Sequence, residues 1–396
     1  MLLSNARPVL DLEIRIFRTE GETGNLGSSL GPFPFGPGFY RAELGYGDGR
    51  LSPFDIGPIP ILQQGPISDP LVQGQVLFNW LFGQPSSDEM KNTLCDLMDH
   101  SGPNLFDSDP KHLRLRLNLD SRDPELHALN WETMCEPSGN APPISVQTAF
   151  SRFLRVRAAR AWPISERPLR MLTVVSNPSG LADFDLSRFD EHFHKQMLAN
   201  AARPLGSLLD IGKPIYNPTI SDFQAVWKAE ARRIQILHIV SHSVIEGDRA
   251  FLLLADKHGS AEMVPAEVIR DLIKSIASPN LVFLAAPTTP GQPEGAGLLR
   301  LAPMLLASGV QAVVVIPGTM RQDQLTTFTE SFYEVLLRTG TIDRAVSEAR
   351  RQLFHVESVG QDWSRPVLYM RTPDGQLFVD LSPAFENSIS NVAFGA

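Results

Sequence analysis

Asn280-Leu-Val-Phe-Leu-Ala-Ala-Pro-Thr-Thr-Pro-Gly291 decides the fold. Leu281 to Ala286 is an unbroken apolar run of strand length that stops at Pro287. A strand with no polar alternation is covered on both faces, which is the situation of a parallel sheet. The chain keeps the same rhythm on either side. Downstream come a helix over Gly295–Ser308 closed by Gly309, the strand Ala312-Val-Val-Val-Ile316, and helices over Asp323–Leu337, closed by Gly340, and Thr341–Phe354. A last strand, Val367-Leu-Tyr-Met-Arg371, ends the series. Upstream are strands at Leu169–Ser176, Ile234–Ser241 and Phe251–Ala255. Helices are expected over Asp185–Ala202, over Ser221–Arg232 with Ser221 and Asp222 as caps, and over Pro265–Ile276. The expected fold is α/β, a mostly parallel sheet flanked by helices on both faces. Sites in such sheets gather at the carboxyl ends of the strands, so the residues after Ser241, Ala286 and Ile316 deserve scrutiny first.

The leading part of the chain reads differently. Asp11-Leu-Glu-Ile-Arg-Ile-Phe17 alternates apolar and charged residues, as a strand with one wet face does. Residues 21–49 hold nine Gly and three Pro, a density no long helix survives. Tyr40 to Tyr46 forms a second strand. These features predict a small β-rich N-terminal module over residues 1–70. Helical spacing follows at Leu71–Phe82 and Ser87–Met98, then an alternating strand, His112-Leu-Arg-Leu-Arg-Leu-Asn-Leu119. Phe150–Trp162 is basic and reads as strand or helix. The expected division is 1–70, a leading part over 71–165, and an α/β core over 166–396.

Bulk numbers exclude several classes. The 396 residues are 43% apolar, enough for a sizeable core. A net charge of −9 argues against nucleic-acid binding through a basic surface. Arg152, Arg155, Arg157, Arg160, Arg167 and Arg170 crowd one region, which reads as a solvated face and linker. No run of about 18 apolar residues occurs, so no membrane span is expected. No signal peptide is expected from the opening residues, and the two cysteines, Cys95 and Cys135, read as free thiols of a reducing cytoplasm. The phosphate-loop pattern is absent, and no cofactor is called for.

Two histidines lie in Leu237-His-Ile-Val-Ser-His-Ser243. On a strand they share a face, so this is not a helical zinc pair. His238 reads as a satisfied core imidazole. His242 sits where the strand ends, placed to act as a general base. His192 and His194 point apart on a helix and make no metal site; none is expected anywhere.

These segments together resemble the CHAT domain family, bacterial relatives of caspases and separases. Leu237–Ser243 resembles the family's histidine-bearing strand end, and Asn280–Thr288 the strand that carries its nucleophilic cysteine. Gly297–Ile316 is similar to the helix and strand that follow, with their Gly-Val-x-Ala-Val-Val run. Phe328–Phe354 resembles the family's later helices. Trp363–Arg371 with Asp374-Gly-Gln-Leu-Phe378 resembles its closing strand. Asn130-Trp-Glu132 matches a Trp-Glu pair of the leading part, where Trp131 and Glu132 are structural, and Leu169–Pro178 matches the family's first core strand. The resemblance runs from about Leu71 to Phe378 and leaves residues 1–70 unmatched.

The resemblance implies a caspase-like fold in which a histidine activates a cysteine for attack on a peptide carbonyl. His242 takes the base position. Pro287 follows it by 45 residues, near the caspase separation of about 50, but Pro287, or Ala286 with a shift of one, stands where the thiol belongs. Ser243 replaces the glycine expected after the histidine. Thr288 or Thr289 could offer only an unactivated hydroxyl, and Cys95 and Cys135 lie upstream of the core. Arg321 and Asp323, after the Ile316 strand, could read a charge on a bound peptide, or Asp323 could simply cap the next helix. The expectation is an inactive pseudo-caspase module binding a protein or peptide partner in a bacterial defence or signalling system. The alternatives are an active peptidase with an unrecognised nucleophile or a partner-completed site, and a regulatory domain that binds a small ligand.

Overall fold

Strand and helix follow the pattern of apolar residues closely in the computed structural model. It describes residues 9–19, 39–46, 49–60, 69–101, 112–120, 123–137, 142–155, 162–287, 296–318, 320–356 and 362–381. The chain divides into two compact units, Met1–Phe153 and Leu154–Ala396.

The first unit opens with the small β-rich module: β1 (Val9–Arg18), β2 (Phe39–Tyr46), β3 (Gly49–Arg50) and β4 (Phe54–Pro58). Next come α1 (Pro70–Phe82), α2 (Asp88–Ser101), β5 (His112–Leu119), α3 (Pro124–Ala128), α4 (Ile144–Gln147) and β6 (Ala149–Phe153). The strands pair in the order β3-β2-β1-β5-β6, with β4 also on β2. β1 runs antiparallel to β2 but parallel to β5, with Ile14 level with Leu117. Leu12, Ile14 and Ile16 and the leucines of β5 face one core with Leu77 and Leu81 of α1. Asp69 caps α1 by accepting from Leu71 N–H at 2.9 Å. Gly74 lets α1 lie against the turn at Thr133, since a Cβ there would stand 1.8 Å from the Thr133 carbonyl oxygen.

The second unit contains β7 (Leu169–Ser176), α5 (Glu191–Ala202), β8 (Leu209–Ile211), β9 (Ile215–Tyr216), α6 (Ile220–Glu230) and β10 (Ile236–Ser241). Then come β11 (Ser243–Glu246), β12 (Arg249–Ala255), β13 (Ala261–Pro265), α7 (Ala266–Lys274), β14 (Leu281–Ala285) and α8 (Ala296–Ala307). β15 (Ala312–Ile316), α9 (Gln322–Thr339), α10 (Ile342–Val356) and β16 (Val367–Met370) complete it. Its main sheet runs β16-β15-β14-β10-β7-β8, with β9 also on β7. β15, β14, β10 and β7 are parallel and β16 is antiparallel. A second sheet, β11-β12-β13, is antiparallel.

Helices cover both faces of the main sheet, as the apolar strands require. Leu237, Ile239, Val282, Leu284, Val313 and Val315 share one core with Trp227 of α6, Ile269 of α7 and Leu301 of α8. On the other face His238 stacks on Phe283 at 4.5 Å, and Phe283 meets Phe332 and Tyr333 of α9. Gly340 ends α9 at φ 71°, where a Cβ would stand 1.9 Å from the Phe378 carbonyl oxygen.

Several local expectations are corrected. The helix expected from Asp185 starts at Glu191, capped by Asp190, whose side chain accepts from His192 N–H at 2.9 Å and Phe193 N–H at 3.1 Å. Asp185 itself is in left-handed backbone at φ 56°. The cap of α6 is Thr219, in a reciprocal box with Asp222, rather than Ser221. The Phe150–Trp162 piece is a strand over Ala149–Phe153, and residues 156–161 lie outside the described ones. β8, β9, β11 and β13 had no sequence expectation.

Candidate functional site

β10 and β14 are hydrogen-bonded neighbours, with Val240 level with Ala285. His242 stands two residues beyond Val240 and Pro287 two beyond Ala285, so both leave the sheet at one rim. Adjacent strands lie about 4.8 Å apart, which sets the scale of the gap between the two backbones. Ala286 donates its N–H to the Ile316 carbonyl on β15 at 2.9 Å. Pro287 has no N–H at all. Among the described residues, this tip therefore presents neither a nucleophile nor a free backbone donor. Thr288 and Thr289 lie outside the described residues.

His242 is held on several sides. It is 3% exposed, and its Nε2 donates to the Ser187 carbonyl at 2.9 Å. The Phe189 ring meets it edge-on at 5.8 Å. Burial pushes the imidazole below its ordinary range, and the Ser187 bond offsets part of that shift. Because a carbonyl only accepts, the neutral ring carries its proton on Nε2 and leaves Nδ1 as the bare nitrogen. The segment that supplies Ser187 and Phe189 is itself pinned. Asn177, just past β7, accepts from Phe189 N–H at 3.1 Å and donates to the Phe189 carbonyl at 2.9 Å and to Glu191 at 3.0 Å. Asn217 accepts from Asn177 N–H at 2.5 Å. No sequence signal marks Ser187, because its contribution is a backbone oxygen. Asn177 could have been suspected from the Asn-Pro-Ser-Gly loop that it opens.

The remaining candidates fall elsewhere. Ser243 begins β11; its Oγ is buried without a partner and lies where a Cβ on Gly297 would come within 2.9 Å. Arg321 and Asp323 are exposed and pair at 3.5 Å, and Arg321 also reaches Asp362 at 3.9 Å. Asp323 is not the cap of α9. It sits in the first turn, where a negative charge still meets the positive end of the helix. His238 is fully buried; its Nδ1 is 2.9 Å from the Tyr333 hydroxyl and its Nε2 has no partner, so it is a core imidazole only half satisfied. His192 is exposed and His194 is buried between Phe189 and Phe193.

Trp131 and Glu132 are wholly buried in the first unit. Trp131 stacks on Trp80 at 5.8 Å and donates to the Leu126 carbonyl at 2.7 Å. Glu132 pairs two-pronged with Arg152, at 3.1 and 2.6 Å. Arg152, read from sequence as part of a solvated face, is 1% exposed on β6. Both cysteines, Cys95 and Cys135, belong to this unit. Burial pushes the Cys135 thiol up to about 11, the opposite of an activated thiolate. Among the described residues no His, Cys, Asp and Glu gather as a metal site would require, and no helix is long and apolar enough to cross a membrane.

A mostly parallel α/β sheet with a histidine at the tip of a central strand is thus the class of the second unit. The CHAT domain family model matches residues 72–371, and the chain belongs to that family. Solved structures similar to it share little sequence. The Drosophila initiator caspase Dronc is 9% identical at a TM-score of 0.37, over 58% of this chain and 95% of that one. Separase of the Saccharomyces cerevisiae separase–securin complex is 12% identical at 0.37, over 66% of this chain but 15% of that one. RgpB of Porphyromonas gingivalis, in the complex of its pro- and mature domains, is 12% identical at 0.40, over 75% and 71%. No curated protein matches the chain.

Proposed function

We propose that the chain is a catalytically inactive CHAT module that acts by binding a protein or peptide partner. The observation that carries this reading is the rim opposite His242. Ala286 has its N–H bonded to Ile316, Pro287 has none to give, and the unit holds no cysteine. Covalent peptidase chemistry needs a nucleophile beside the base and donors for the oxyanion. A fold survives without its chemistry, because activity resides in the site. Arg321 and Asp323 would then read charge on the partner, and Ser243, Ala286, Pro287 and Thr288 would border the cleft. Such a module would work in a bacterial defence or signalling assembly in the cytoplasm, a role that only the family resemblance suggests.

One observation favours a second reading. The Ser187 bond and the Asn177 network hold His242 as a working base would be held. A partner that supplied the nucleophile would make the site a peptidase. The test is turnover of a diverse fluorogenic peptide library by the full chain, together with labelling by an electrophilic peptide probe. The expected result is no product and no labelled residue near His242. Cleavage that disappears in His242→Ala overturns the inactive reading.

A further inference from the structure

Among the described residues, the strand that follows His242 has a free edge. There β11 pairs only with β12, in the order β11-β12-β13. Leu253 N–H donates to the His242 carbonyl at 3.0 Å, which fixes the phase of the ladder. In an antiparallel pair the bonded and non-bonded positions alternate. Ser243, level with Leu252, is therefore a non-bonded position, and so is Ile245, level with Ala250. The N–H and C=O of Ser243 and Ile245 point away from β12. Ile245 is 37% exposed, and Glu246 beside it is exposed.

The flanks of this edge differ in chemistry. Val244 lies half-buried with Phe184 and Met263 against the small cluster of Leu181, Leu186 and Leu253. Glu246 continues that face of the strand, because side chains alternate. Asp183 and Asp185 stand exposed on the segment around Phe184. Arg249, level with Glu246 across the ladder, pairs with Glu267 at 3.6 Å and lies over the Phe251 ring. The strip thus keeps Glu246, Asp183 and Asp185 as its exposed carboxylates and, on a chain of net charge −9, suits an apolar segment that also carries positive charge.

We propose that an extended segment of a protein partner docks along Ser243–Glu246 as a fourth strand, setting an apolar side chain against Val244 and Phe184 and a Lys or Arg against Glu246. Main-chain bonds to Ser243 and Ile245 supply affinity, and the strip supplies selectivity. An unprotected strand edge is a pairing template in any protein. This inference rests on the reading that the chain works by binding a protein.

Ile245→Pro tests it directly. The N–H removed is the outward one, so the β11–β12 ladder keeps its bonds, and an edge strand tolerates proline there. Glu246→Lys tests the charge. A random-peptide display library is selected on the full chain, and the enriched peptides are measured against both variants. The expected peptides alternate apolar residues with Lys or Arg. Ile245→Pro weakens them about tenfold or more and Glu246→Lys several-fold. Unchanged binding to Ile245→Pro overturns the proposal, as does a library that yields no binder; should that variant not fold, unchanged binding to Glu246→Lys does the same. Enriched peptides that the chain cleaves would overturn the inactive reading and leave the docking edge standing.

Discussion

Two buried polar clusters, one around Glu132 and one around His242, are built with comparable care and end differently. Around Glu132, both carboxylate oxygens meet Arg152, and Arg152 also donates to the carbonyls of His127 and Leu129. Each of these bonds turns inward, and together they hold the turn at Trp131 in place. Around His242, Ser187, Phe189 and Asn177 fix one side of the ring and leave Nδ1 as an open acceptor. Among the described residues, nothing on the β14 tip is built to use that acceptor. A network that closes on itself is structural. A network that stops at an unmatched acceptor is what a site looks like when its second half is missing or arrives from elsewhere.

The closed cluster should give the largest effect. Glu132→Ala leaves the Arg152 guanidinium buried without its counter-charge, at an expected loss of about 3–5 kcal/mol in urea unfolding. Replacing both partners with apolar residues of similar volume, Glu132→Leu with Arg152→Met, should recover most of that loss. A single variant as stable as the parent would show that the pair is incidental, and the contrast with His242 would fail.

A second contrast lies within the open region. His194 and His238 are buried, and each has one ring nitrogen without a partner. Burial lowers His194 to about 4 against a smaller upward pull from Asp190, and burial lowers His238 to about 3, with the neighbouring His194 adding to that shift. A histidine whose folded pKa lies below its unfolded value of about 6.5 is harmless above 6.5 and loses stability as pH falls toward the folded pKa. Between pH 7 and 5 each should forfeit about 2 kcal/mol, since the unfolded chain binds the proton and the folded one does not. The urea midpoint should fall over that interval. His194→Phe, a shape suited to its place between Phe189 and Phe193, should flatten the fall by the share of one histidine. An unchanged pH profile in His194→Phe would mean that the ring is accessible to protons in the folded chain.

How much of this was legible beforehand depends on where the information sits. Leu281–Ala286 and Ala312–Ile316 carry their own burial, and Gly340 its own stop, so the central strands and the end of α9 could be read directly. The position of His242 at a strand end follows from the same run. Four kinds of feature could not be read. β11 and β13 are short and half-exposed, and their pattern does not stand out from turn residues. The segment Asp185–Asp190 looks helical in composition, yet it serves as the arm that brings the Ser187 carbonyl to His242, and backbone oxygens have no signature. Arg152 sits in a basic stretch that suggests solvent, while its partner Glu132 lies 20 residues away. The pinning of Phe189 by Asn177 joins two loops that only the fold brings together.

The smallest expected effect is also the most specific to the open region. Asn177→Ala removes a side chain that both accepts from and donates to Phe189, in effect a substitute for backbone pairing. Its loss should lower global stability by only about 1 kcal/mol, because the loop can turn to water. The consequence for His242 should be larger than that figure suggests. Ser187 would no longer be held opposite Nε2, and the ring N–H, sheltered in the parent by the carbonyl, should exchange with solvent. Nitrogen-resolved NMR of the imidazole reads this directly: an Nε2–H signal present in the parent should be lost in Asn177→Ala, while the signals of the main sheet stay in place. A retained signal would show that packing against Phe189 alone positions the ring, and the His242 network would then be no more purposeful than the stack of His238 on Phe283.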